Sequence, residues 1–317
     1  MRRIVSLLPA TTEIVMRLGA GDRLMGASHE CRVGSEVPRL TWSNVRTAED
    51  GASGGEIDAE VRDVLGRGEP IFGFDAERFA ALEPDVVLTQ SLCNVCALDG
   101  SVVQRAVREL QGADGLGEPV RLLEYAPTTL AEIAAGLEAI GAAIGEAEAG
   151  QREAAAMRRR LDAVATSVAG RPRVDVVFLE WLEPLFGCGH WLPEMVEIAG
   201  GRELIGQAGA RSRTVSAEAV LAADPEVLLV CCCGWPAERT ERAWRRFLDG
   251  DARLGRMRAV QSGRVHVLGA ADGLTEPGPG LAEDCVRLAA LIQGAAWSNR
   301  CWASERRPRV AEQRFPD

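Results

Sequence analysis

Short apolar runs alternate with helical repeats along this chain. Residues 4–8, 85–90 and 121–124 have the apolar content and length of strands, while 11–18 and 101–110 place apolar residues at helical spacing. The same alternation restarts with strands at 174–179, 226–231 and 264–268 and helices near 193–199 and 281–292. Strand and helix in alternation predict parallel sheets covered by helices. Between the two sets, Leu130, Ile133, Leu137, Ile140 and Ile144 repeat with helical period. The pattern resumes at Met157, Leu161, Val164 and Val168 and stops at Gly170-Arg171-Pro172, with Gly145 and Gly150 marking a break.

The predicted fold class is α/β: two Rossmann-like α/β domains with mainly parallel sheets, joined by a long α-helix. The expected division is 1–126, a helical linker over 127–170, and 171–297, followed by a charged tail at 298–317 without periodicity and expected to be disordered. A helix over 146–168 would be about 34 Å long at 1.5 Å per residue, long enough to reach from one domain to the next. A helical connector is stiffer than paired strand hinges, so little domain closure is expected. Residues 49–55 read as a loop.

The chain has 317 residues and 47% hydrophobic content, enough for two ordinary cores. A formal net charge of −10 argues against nucleic acid as a partner and leaves small molecules as the expected ligands. All 36 basic residues are Arg, so Schiff-base chemistry and the P-loop lysine are excluded. Tyr125 is the single tyrosine. No stretch approaches the roughly 18–20 apolar residues of a membrane span, so no membrane insertion is expected. Met1-Arg2-Arg3 leads straight into the first predicted strand, which predicts a cytoplasmic protein. Nine cysteines, an odd number, then suit metal binding or free thiols better than a disulfide framework.

Chemistry concentrates in four segments, each following a predicted strand: Ser28-His29-Glu30-Cys31, Cys93-Asn94-Val95-Cys96, Cys188-Gly189-His190-Trp191 and the run from Cys231 to Trp235. Ligands of open α/β sheets bind beyond the carboxyl ends of the strands, so the four segments are expected to meet in one cleft. Two alternatives follow. Cys93, Cys96, Cys188, His190, Cys232 and Cys233 are candidate ligands for zinc or an iron–sulfur cluster, which would make a cytoplasmic metalloprotein or thiol-dependent enzyme. Against this, free cysteine also packs as a small hydrophobe, and strand alternation lets only one or two of Cys231, Cys232 and Cys233 face a cleft. Trp42, Trp181, Trp191 and Trp235 lie in or beside the same loops and suit a broad, flat, partly apolar ligand such as a corrinoid. Glu30, Glu180 and Glu183 add negative charge. No Ser-His-Asp constellation, phosphate loop or dinucleotide fingerprint is present, and no catalytic residue is assigned.

A family resemblance rests on several of these segments. Ile4-Val5-Ser6-Leu7-Leu8-Pro9-Ala10-Thr11-Thr12-Glu13, Leu18-Gly19, Asp22-Arg23-Leu24, Leu82-Glu83-Pro84-Asp85-Val86-Val87 and the helical linker together resemble the helical-linker (class III) solute-binding proteins of iron-siderophore and vitamin B12 uptake. The nearest subgroup is cobalamin-binding-like, and the resemblance covers about 1–297. The stretches from Phe178 to Phe186 and from Gly189 to Glu194 are similar to the cleft-lining loop of its second domain. The resemblance implies a binding protein that holds a corrinoid, such as cobalamin, or a metal chelate between its domains. His29, Glu30, Trp42, Glu180, Trp181, Phe186, His190, Trp191 and Trp235 are the candidate ligand contacts. An ABC permease is a partner only of an exported chain.

Overall fold

In the computed structural model, residues 2–45, 51–90, 100–110 and 119–294 are described. β1 (Ile4–Ser6) lies fully buried between β2 (Leu24–Ala27) and β5 (Val86–Thr89). With β6 (Arg121–Glu124) they form a parallel sheet in the order β2-β1-β5-β6. Alternation sends Ile4, Val86 and Leu88 to one face and Val5 and Val87 to the other. Helices α1 (Pro9–Arg17) and α5 (Leu130–Ile144) cover the first face, and α4 (Gly100–Leu110) covers the second through Val103 and Val107. This two-sided burial is why β1 and β5 read as apolar runs, whereas the edge strand β6 keeps Arg121 and Glu124 exposed.

Beside that sheet, β3 (Thr41–Ser43) and β4 (Phe72–Phe74) form an antiparallel ribbon, with α2 (Gly54–Gly66) between them in sequence and α3 (Ala76–Ala81) following. Val45, Val64 and Ile71 give this unit a small core of its own. The expected loop at 49–55 is corrected at its end, since α2 begins at Gly54. Ser53 and Glu56 form a reciprocal capping box that satisfies the first backbone donors and offsets the two glycines of the first turn.

The linker is two helices. α5 stops at Gly145, whose φ of 87° closes the turn, and α6 (Ala147–Val168) doubles back so that Glu138 meets Arg158 over 2.8 Å. Gly150 does not break α6. A Cβ there would meet the Leu137 carbonyl at 2.5 Å, so the glycine allows the two helix backbones to touch.

Beyond α6, the second sheet runs β10 (Arg213–Thr214), β8 (Leu185–Gly187), β7 (Val174–Leu182), β11 (Val227–Cys231), β12 (Val265–Leu268), with β9 (Gly201–Glu203) also on β7. β7, β9, β11 and β12 are parallel, and β8 and β10 are the antiparallel exceptions. Helices α7 (Leu192–Ile198), α8 (Ala217–Ala223), α9 (Ala237–Gly250), α10 (Arg258–Gln261) and α11 (Leu281–Gln293) complete this half. One apolar core runs from Ile4, Ile14 and Leu88 through Leu137, Met157 and Leu161 to Phe178, Met195, Leu229 and Ile292. The halves are therefore packed on a shared core at the linker side. Among the described residues no helix is long and apolar enough to cross a membrane.

Candidate functional site

The carboxyl ends of both sheets face one seam. From the first half come the β1–α1 turn, the loop after β2 and Tyr125 after β6; from the second come the ends of β7, β11 and β12. Tyr125 donates its hydroxyl to the Pro277 carbonyl over 2.7 Å, and Arg32 approaches Glu276 at 3.9 Å. A cavity of about 50 Å³ lies here, walled by Thr12, Glu13 and Met16 on one side and Glu276, Leu281 and Asp284 on the other.

In the first half, His29 is held by Thr41, whose hydroxyl accepts from its backbone N–H at 2.9 Å and meets its Nδ1 at 2.7 Å; Phe72 lies beside the ring. Glu30 is open to solvent on one side but crowded by the cleft walls. That desolvation, and then the charge of Glu276 opposite, raise its carboxyl above the usual range. Trp42 is 49% exposed on the ribbon and lies over Gly73, where a Cβ would strike the indole. Behind this loop Ser6, Thr11, Thr12, Ser28 and the Cys31 thiol form one buried hydrogen-bonded cluster joining the β1–α1 turn to the loop of His29.

In the second half, Glu180 ends the parallel part of β7, and its carbonyl accepts from the Cys233 N–H at 3.2 Å. Trp181 packs at 4.6 Å from Trp235, and its indole donates to the Glu183 carbonyl. Phe186 is half-buried on β8 opposite Trp181. His190 has φ of 52°, a left-handed conformation costly for a non-glycine residue. Backbone bonds with Ala210 and Gly209 hold it there, and a Cβ on the preceding Gly189 would strike Ser212. Burial, and then the charge of Arg211, lower the His190 pKa, so the imidazole is neutral at pH 7. Its Nδ1 faces Ser212, and its Nε2 is enclosed without a hydrogen-bond partner among the described residues. Trp191 is not a cleft surface: it is buried, and its indole donates to the Leu274 carbonyl at 2.9 Å. Trp235 is likewise buried, with Arg239 4.1 Å from its ring centroid.

Among the described residues no group of three His, Cys, Asp or Glu could hold an ion. Cys188 and Cys232 are buried core, Cys233 is exposed, and Cys93 and Cys96 lie outside the described residues. Burial raises Cys188 and Cys231 well above the ordinary thiol range and pushes Cys232 up to about 12. Glu203 was not among the sequence candidates. It lies beneath the His190 loop and accepts backbone N–H groups of Phe178, Ile205 and Gly206, with the Cys188 thiol as a fourth partner. Its position at a strand end was the available signal.

The model of the family described as periplasmic binding protein matches residues 4–271. The chain belongs to that family. It is similar to the "Vitamin B12-binding protein" of Vibrio cholerae, 25% identical over 279 residues, covering 87% of this chain and 84% of the relative. Among solved structures, the periplasmic vitamin B12 binding protein BtuF of Vibrio cholerae aligns with a TM-score of 0.61 and 21% identity, covering 92% of this chain and 96% of that one. The periplasmic heme-binding protein RhuT from Roseiflexus sp. RS-1 aligns with a TM-score of 0.64 and 20% identity, covering 92% and 97%. These likenesses establish the two-domain α/β fold.

The family corrects the expected compartment. Relatives named for their location are periplasmic, which points to the extracytoplasmic side and overturns the cytoplasmic expectation. The six described cysteines are free thiols, in line with the free-thiol alternative, and five of them are buried, where they pack as small apolar residues.

Proposed function

We propose that this chain is an extracytoplasmic solute-binding protein that holds a corrinoid, or another flat metal-chelate macrocycle, between its two α/β lobes and delivers it to an ABC permease. The lobes of this reading are 1–126 and 171–297, with 127–170 as the connector. The observation that carries it is the 25% identity to the vitamin B12-binding relative over 87% of the chain. The His29 loop and the His190 loop supply the local chemistry. A neutral imidazole is a suitable nitrogen ligand for a chelated metal, and His190 is kept neutral by its surroundings.

Absorption titration of the purified full chain with cyanocobalamin and, separately, with haemin tests the proposal. A saturable spectral change with either supports a macrocycle and tells corrinoid from haem. Unchanged spectra with both would remove it.

A further inference from the structure

The aromatic wall of Trp181 and Trp235 is occupied by the chain itself. The start of α2 lies across it, from the other half of the molecule. The Gly55 N–H donates to Glu183 Oε2 at 3.2 Å, and Arg239, while stacked on Trp235, donates to the Ala52 carbonyl at 2.7 Å. Gly54 is pressed so closely that a Cβ would sit 3.0 Å from the Trp181 indole nitrogen and 3.2 Å from the Glu183 carbonyl. Ile57 packs at the edge of the second-half core containing Trp235, and also against the small core of Val45, Val64 and Ile71.

Two features set this contact apart from the rest of the seam. The halves share one apolar core at the linker, so separating them whole would expose buried residues such as Met157, Leu161 and Phe178 to water. The unit of α2 with the β3–β4 ribbon instead has its own three-residue core, and polar bonds to Glu183 and Arg239 fasten it across the seam. Small units with few buried apolar contacts open at the lowest free energy.

We infer that the start of α2, from Ala52 to Ile57, is a clasp fastened by Glu183 and Arg239 that gates one end of the cleft and limits the size of ligand admitted. Glu183 and Arg239 are then positioning residues for the gate rather than ligand contacts, and Trp181 is the surface against which Gly54 closes. The ligand class in this inference rests on the macrocycle reading above; the clasp itself does not.

The test uses the full chain with Glu183→Ala and Arg239→Ala combined, and separately Gly54→Ala, which leaves both polar groups in place but crowds the closed contact. Hydrogen exchange at 53–57 should accelerate at least about tenfold in the double variant, because two bonds to charged partners are lost. Association of cyanocobalamin should quicken in both variants, and more than that of the smaller haemin. Unchanged exchange at 53–57 in folded double variant would overturn the clasp. Faster exchange with unaltered association rates for both macrocycles would overturn its role as a gate. If neither macrocycle binds the wild-type chain, the macrocycle reading and the size limit fall together, and the exchange result alone decides whether the clasp exists.

Discussion

Tyr125 reaches across the molecule to Pro277, its hydroxyl donating to the carbonyl over 2.7 Å. The ring is buried on α5, where Gly136 leaves the space: a Cβ there would come within 2.2 Å of the ring. Burial, and then the charge of Glu13, push the phenol pKa upward, so the hydroxyl remains a donor at any physiological pH. Tyr125→Phe should cost about 1 kcal/mol in denaturant unfolding, the net worth of one such bond with its acceptor left inside. An unchanged midpoint would show that the bond contributes nothing across the seam.

The lobes themselves should move little. Glu283 of α11 meets Arg17 of α1 at 3.3 Å and Arg160 of α6 at 3.1 Å, all largely buried, over the shared core. Solution scattering with and without saturating cyanocobalamin should change the radius of gyration by less than about 1 Å. A change of several ångströms would place the opening between the lobes instead of at α2.

Legibility in the sequence followed burial on both faces. β1, β5, β7 and β11 were readable because helices cover both sides of their sheets, leaving apolar runs with few polar interruptions. α2 was obscured by Gly54 and Gly55, although Ser53 and Glu56 carried the capping signal. That the loops after β2, β7 and β11 sit at strand ends was readable from the alternation of strands and helices, while the Cys93–Cys96 segment lies outside the described residues. What each side chain does there was not: Trp191 and Trp235 became structural because tertiary partners, the Leu274 carbonyl and the Arg239 guanidinium, were waiting for them. Cysteine is the same residue in a core as in a metal centre, and only the fold distinguishes Cys188 from a ligand.

Glu203 should give the protein a measurable pH dependence. Its burial outweighs three backbone donors and raises its carboxyl to about 7 from a usual 4.5. A raised folded-state value means that the native state holds the proton more tightly than the unfolded chain. The associated stability is therefore complete below about pH 4.5 and lost as pH rises through about 7, by at most about 3 kcal/mol. Comparing unfolding of the wild type with Glu203→Gln between pH 4.5 and 8 isolates this contribution. If the difference between the two proteins does not vary with pH, Glu203 is ionised throughout.

Thiol reactivity should separate core from surface. With a neutral alkylating reagent at pH 8, Cys233 should react in the native protein, while Cys188, Cys231, Cys232 and Cys285 should react only on unfolding, being buried and, for each, raised in pKa. Mass mapping of the labelled peptides reads this directly. Rapid labelling of Cys188 or Cys231 would mean that the second-half loops open and expose these buried thiols.

One macrocycle should occupy the cleft between the lobes. Native mass spectrometry of the full chain mixed with equal amounts of cyanocobalamin and haemin should show one chain with one macrocycle, the two ligands excluding each other. A spectrum with neither complex, or with both ligands together on one chain, would refute a single macrocycle site.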